Sequence, residues 1–150
     1  MQASPADSFL GTPLGFAVFL AVLWCSICFL VSFISGWHAL SARFRKQSEP
    51  YGATKRAGPF FYTVYMRFWS HYSSVIRITA AADGLYLSVL SLYRIGHPPL
   101  RVPWEEIQLG RTKRLWRTYI VLTLGNEERI PMRISERMAR NLGILDRVLA

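Results

Sequence analysis

Residues 8 to 42 carry no Asp, Glu, Lys or Arg, and their apolar centre runs from about Leu14 to Ser35. Roughly 20 apolar residues in a helix cross about 30 Å of hydrocarbon, so this run predicts one membrane-spanning helix over 14–36. Trp37 and His38 fall at its downstream edge, where amphipathic rings favour the interface. A cleaved signal peptide needs a basic leader, and the only charged side chain ahead of the run is Asp7. The pattern therefore favours a retained anchor behind a short extracytoplasmic tail, 1–13.

After Phe60 the period changes and apolar positions alternate with polar ones, which is a strand signal. Strands are expected over 61–70, 75–81, 85–95, 100–104, 107–116, 118–124 and 128–134. Asp83-Gly84 and Gly125-Asn126 supply two hairpin turns. Pro98 and Pro99 cannot donate to a ladder, so pairing should stop at them. At Ser135 the period becomes helical. Ser135 is a good N-cap, and Met138, Leu142, Leu145 and Leu149 recur on one face, predicting a helix over 135–149. Gly143 should weaken that helix by about 1 kcal/mol without ending it.

Seven antiparallel strands and one C-terminal helix must cover an apolar face and their own edges. A partly open barrel capped by the helix does both, and another antiparallel α+β arrangement such as a split barrel is the alternative. The element order over 60–150 resembles the pleckstrin-homology-like (PH/GRAM-like) fold. Within it, "DGLYLSVL" (83–90) followed by "RIGHPPLRVPWEEI" (94–107) resembles small uncharacterised bacterial single-span membrane proteins with a PH-like cytoplasmic domain. The resemblance implies a bacterial inner-membrane location and no particular activity. PH-like domains in general bind phosphoinositides or protein segments, but no phosphoinositide-binding motif is visible.

Charge sets the orientation. No Lys or Arg precedes the apolar run, whereas Arg43, Arg45, Lys46, Lys55 and Arg56 follow it. Positive-inside asymmetry puts the N-terminus outside and the C-terminal domain in the cytoplasm. Residues 37–59 are then a basic juxtamembrane linker, whose bases are expected to contact anionic lipid at roughly 1 kcal/mol each. The whole chain is 51% hydrophobic and 18% charged with a net charge of +9, a balance that points to an acidic partner. The region 60–150 contributes thirteen basic and seven acidic side chains. Its aromatic-rich start could stack bases, but no nucleic-acid-binding signature accompanies it, so no nucleic acid is expected.

The second candidate patch is Arg111, Lys113, Arg114 and Arg117. Alternation puts Arg111 and Lys113 on one strand face, while Arg114 and Arg117 border a turn. A solvated face that protects a sheet edge competes with a contact to lipid phosphates or an acidic protein. Gly11/Gly15, Ala17/Ala21 and Ser32/Gly36 give a small-residue stripe through which two membrane helices could pair.

Catalytic and metal chemistry find little support. Cys25 and Cys28 form a CxxC inside the apolar run, where a thiolate is disfavoured, and no further Cys completes a metal site. His97, Glu105 and Glu106 lie close in sequence, but adjacent Glu residues on a strand face opposite ways. They are expected to shape a connection between strands, with Trp104 and Ile107 in the core. No nucleophile elbow, phosphate loop or dinucleotide fingerprint occurs. The expectation is a non-enzymatic, membrane-anchored module without metal or cofactor, binding anionic lipid or a membrane-associated protein. A scaffold that takes a partner peptide by strand addition is the alternative.

Overall fold

A computed structural model of the chain describes residues 11–45, 52, 54–57, 63–67, 70–114 and 116–148. The expected extracytoplasmic tail lies almost wholly outside them, as does Lys46.

The first helix, α1 (Pro13–Ser35), has Pro13 in its first turn and is capped by Thr12, whose Oγ1 accepts from Gly15 N–H at 3.1 Å. Its 23 residues extend about 34 Å at 1.5 Å per residue, long and apolar enough to cross a membrane. Leu14, Phe16, Val22 and Phe33 all present more than half their surface. At Gly36 the backbone turns left-handed (φ 82°) and α1 ends with Gly36 N–H bonded to Phe33 O. A Cβ there would also meet Ile130 Cδ1 at 2.5 Å, so glycine serves both the turn and the approach of the sheet.

A second helix, α2 (Trp37–Phe44), follows at once. Residues 37–59 were expected to be a linker, and here the fold differs. Trp37, Leu40 and Phe44 lie on one face of α2 and are buried at 0%, 0% and 7% exposure in the main core. Arg45 bridges Leu100, and β1 (Lys55–Ala57) pairs with β4 (Ile76–Ala81). The polar texture of the stretch concealed three core side chains, each worth about 1.5–3 kcal/mol on burial.

Nine strands occur among the described residues, in two antiparallel sheets. β1, β4 (Ile76–Ala81), β5 (Gly84–Val89) and β6 (Leu100–Val102) form a four-stranded sheet in the order β1-β4-β5-β6. The second sheet comprises β2 (Thr63–Met66), β3 (Ser70–Ser73), β7 (Ile107–Arg114), β8 (Arg117–Leu124) and β9 (Ile130–Ser135), in the order β3-β2-β9-β8-β7. One apolar cluster joins both sheets with α2, through Ile78, Leu85, Leu87, Ile120, Leu122 and Met132 among others. On β9 the alternation holds as expected, with Ile130, Met132 and Ile134 all buried.

Three strand expectations need correction. The stretch 61–70 is not one strand. A turn at Arg67 (φ 48°) separates β2 from β3, whose residues pair with each other. The strand expected over 85–95 stops at Val89. Residues Ser91–Tyr93 form a short 3-10 turn, because the segment leaves the sheet to lie against α1. In the first hairpin the turn residues are Ala82-Asp83, since Gly84 already pairs with Ala81. The C-terminal helix is also divided, into α3 (Glu136–Asn141) and α4 (Leu145–Val148). Gly143 adopts φ 68°, and Ile144 N–H reaches back to Ala139 O at 2.9 Å, a closing pattern that glycine permits and that stops α3. Ser135 caps α3 as expected, accepting from Met138 N–H at 3.2 Å.

Candidate functional site

Two places combine polar chemistry with distinctive packing. The first is the junction between α1 and the domain. Trp37 lies there fully buried, its Nε1–H donating to Pro98 O at 2.8 Å. Its ring packs on Tyr72 and, edge-on at 5.3 Å between centroids, on His97. His97 Nδ1 donates to Ile95 O at 3.1 Å, and a carbonyl only accepts, so Nδ1 carries the hydrogen. Burial pushes His97 below its ordinary pKa, partly offset by the backbone of Ile95 and Tyr93, so the ring is neutral and Nε2 accepts from Tyr72 Oη at 2.8 Å. Tyr72 Oη also lies 2.9 Å from Ser35 Oγ at the end of α1. Burial raises the Tyr72 phenol to about 12. The chain Ser35–Tyr72–His97 thus ties α1, β3 and the segment before β6 into one hydrogen-bonded unit.

The segment from Ser91 to Gly96 continues this contact along α1. Trp24 Nε1–H donates to Leu92 O at 3.2 Å, and its ring packs on Tyr93 at 5.3 Å. Ser32 Oγ–H donates to Gly96 O. A Cβ on Gly96 would meet Phe29 Cα at 3.2 Å and Ser32 Cβ at 3.3 Å, and its φ is 73°, so glycine eases both the turn and the close approach of the two backbones. These contacts use part of the small-residue stripe. Ser32 takes Gly96 and Gly36 faces Ile130, so that pair serves the chain's own domain. Gly11 precedes α1 and shares no helical face with Gly15.

The juxtamembrane bases are scattered. Arg43 turns to the domain, with Glu106 at 2.7 Å, Glu127 at 3.6 Å and Glu128 at 3.7 Å. Arg45 is exposed at its bridge to Leu100. Lys55 and Arg56 are exposed on β1, with Lys55 Nζ close to Gly143. Of the "RIGHPPLRVPWEEI" residues, His97 is buried at the junction, Glu105 is exposed, and Glu106 pairs with Arg43 and accepts from Asn126 N–H at 2.9 Å. The three do not converge on a common point. Ile107 enters the core and Trp104 packs against it, donating to Ala81 O at 2.9 Å.

The second place is the far end of the β7–β8 hairpin. Pairing runs from Ile107↔Leu124, beside Arg43's acidic partners, to Arg114↔Arg117. Trp116 stands at the tip, 98% exposed. Lys113 and Arg117 are exposed, while Arg111 is held by Glu136 at 2.9 Å. The side chain of Arg114 lies outside the described residues. At the foot of the tip an open groove of about 540 Å³ is lined by Thr63, Tyr65, Arg117, Thr118, Tyr119, Ser135, Glu136 and Arg137. Two guanidinium groups and five hydroxyls share the groove with one carboxylate, Glu136, which Arg111 pairs at 2.9 Å, leaving a surface rich in donors of the kind that takes phosphate or carboxylate oxygens. Sequence reasoning found the hairpin bases but missed Arg137 and Thr63. They come from α3 and β2, and only the tertiary fold brings them beside β8.

Compared with family models, curated proteins and solved structures, the chain matches none.

Proposed function

We propose that the protein is a membrane-anchored binding module. In this reading α1 spans the bacterial inner membrane with its N-terminus outside, and a PH-like cytoplasmic domain docks on anionic lipid headgroups through the β7–β8 tip. The anchor is supported by a charge-free helix that exposes large apolar side chains along its length. The docking reading rests on one observation: a fully exposed tryptophan beside a groove that carries Arg117 and Arg137. An amphipathic indole favours the headgroup level, and guanidinium forks bind phosphate. The tip and the Arg43 end lie at opposite ends of eight-residue strands, so docking on the same membrane lays the hairpin along its surface.

The test uses the full chain, because α2 belongs to the core. A bimane on Thr112→Cys, near the tip and leaving Trp116 in place, with Cys25 and Cys28 replaced by Ala, is followed in nanodiscs. Protection from an aqueous quencher should appear with anionic lipid, fade with salt, and vanish in Arg117→Glu/Arg137→Glu. Equal exposure in neutral and anionic discs rejects the docking.

Strand addition is the second reading. β7 is eight residues long and lies at the edge of its sheet among the described residues. In that case a partner peptide, and not lipid composition, would protect β7.

A further inference from the structure

The strongest unexplained feature is the segment from Leu90 to Gly96. It leaves the sheet and lies along α1 as far back as Trp24. Trp24 is about 16 Å before the end of α1 at Ser35, at 1.5 Å per residue. Yet the segment presents large apolar side chains outward, with Leu92 66% and Ile95 43% exposed. Six of its carbonyls have donors within the protein. Leu90 O takes Tyr93 N–H, Ser91 O takes Arg94 N–H, and Arg94 O takes His97 N–H. Leu92 O takes Trp24 Nε1–H, Ile95 O takes His97 Nδ1–H, and Gly96 O takes Ser32 Oγ–H. Three of these are the bonds of an ordinary turn, whereas the other three come from side chains, two of them on α1. Irregular backbone at membrane depth needs its carbonyls supplied in this way, because unsatisfied polar groups there cost several kcal/mol each.

From this geometry we infer that Ser91–Gly96 is a wedge immersed in the cytoplasmic leaflet beside α1, with Leu92 and Ile95 facing lipid acyl chains. The inference rests on the reading of α1 as a membrane span. The apolar surface is continuous across the two elements. An open groove lined by Cys25, Ser26, Phe29, Leu30, Phe33 and Ile95 lies between them, and acyl chains fill it. Arg94, the one charged residue of the segment, is exposed. Its long stem lets the guanidinium rise to the phosphates while the apolar neighbours stay below. The domain is therefore held by a helix and a wedge in the same leaflet, which fixes its rotation about α1 as well as its height.

The test places bimane singly at Leu92→Cys, Ile95→Cys, Leu20→Cys and Glu127→Cys in the full chain, with Cys25 and Cys28 replaced by Ala. Each variant is reconstituted into vesicles containing lipids spin-labelled on the acyl chain, and an aqueous iodide quencher is added separately. The inference expects Leu92 and Ile95 to match Leu20: quenched by the labelled acyl chains and shielded from iodide, with Glu127 the reverse. Leu20 quenched by lipid while Leu92 and Ile95 respond to iodide overturns the wedge and leaves the span intact. Leu20 open to iodide overturns the span and the wedge with it.

Discussion

Trp37 and Trp116 are the same residue put to opposite uses. Trp37 is 0% exposed, hydrogen-bonded to Pro98 O and packed on Tyr72 and His97, where α1 meets β3 and the segment before β6. Trp116 is 98% exposed at the end of β7–β8 remote from Arg43. At the junction the polar atoms are consumed by one another, so its hydrogen bonds hold the domain to its helix. At the tip most of the described basic side chains face outward, so they are available to something else. The contrast separates a fixed attachment from a free surface, and that is the arrangement a tethered binding module needs.

The largest effect should come from reducing each tryptophan in turn. Trp37→Ala removes a buried aromatic and a hydrogen bond, and should cost about 3–5 kcal/mol. Trp116→Ala should stay within about 0.5 kcal/mol of the parent. Denaturant unfolding of the full chain in mild detergent measures both, and similar losses would erase the distinction.

Next comes the close approach of loop and helix. Gly96→Leu would drive a side chain into Phe29 and Ser32, with a cost of about 1–3 kcal/mol from overpacking. Trypsin cleavage after Arg94 should accelerate in this variant. An unchanged cleavage rate would mean that the segment is not clamped on α1.

Acid and base should probe the junction. His97 is lowered by burial, so the native state binds fewer protons than the unfolded chain as pH falls below about 6.5. Stability is therefore full above that pH and is lost as pH falls toward the depressed value. Tyr72 is raised to about 12, so stability falls again as pH rises above about 10. Thermal unfolding against pH should show both limbs. His97→Gln should flatten the acid limb and Tyr72→Phe the alkaline one, while Trp116→Ala should alter neither.

Among the side chains that make contacts in the fold, Arg43 should matter least. Its side chain is 39% exposed, so Arg43→Ala should cost only about 0.2–1 kcal/mol and less in high salt. A larger, salt-insensitive loss would make the acidic cluster part of the junction itself.

Much of this was legible where periodicity is strong. The charge-free run gave α1, the alternation of Ile130, Met132 and Ile134 gave β9, and Ser135 marked the start of α3. The hairpin bases were visible too, including the adjacency of Arg114 and Arg117 to a turn. Other features were hidden by composition. Trp37, Leu40 and Phe44 have helical spacing, but they are diluted among Ser and Arg and follow directly on the apolar run of α1. The segment 90–95 reads as strand because its apolar residues resemble those of β5. They face α1 and the space beside it, which no local pattern reveals. The Arg43–Glu106 pair and the Arg117–Arg137 groove join residues distant in sequence, and pairwise chemistry without a fold does not select them.

Hydrogen exchange of the full chain in nanodiscs tests the central contrast most directly. Amides at Trp37, His97 and Leu100 should exchange as slowly as those of the core strands in neutral and anionic discs alike. Amides from Thr112 to Thr118 should exchange quickly in neutral discs and slow when anionic lipid is present. A tip indifferent to lipid charge, or a junction that opens independently of the core, would contradict the account.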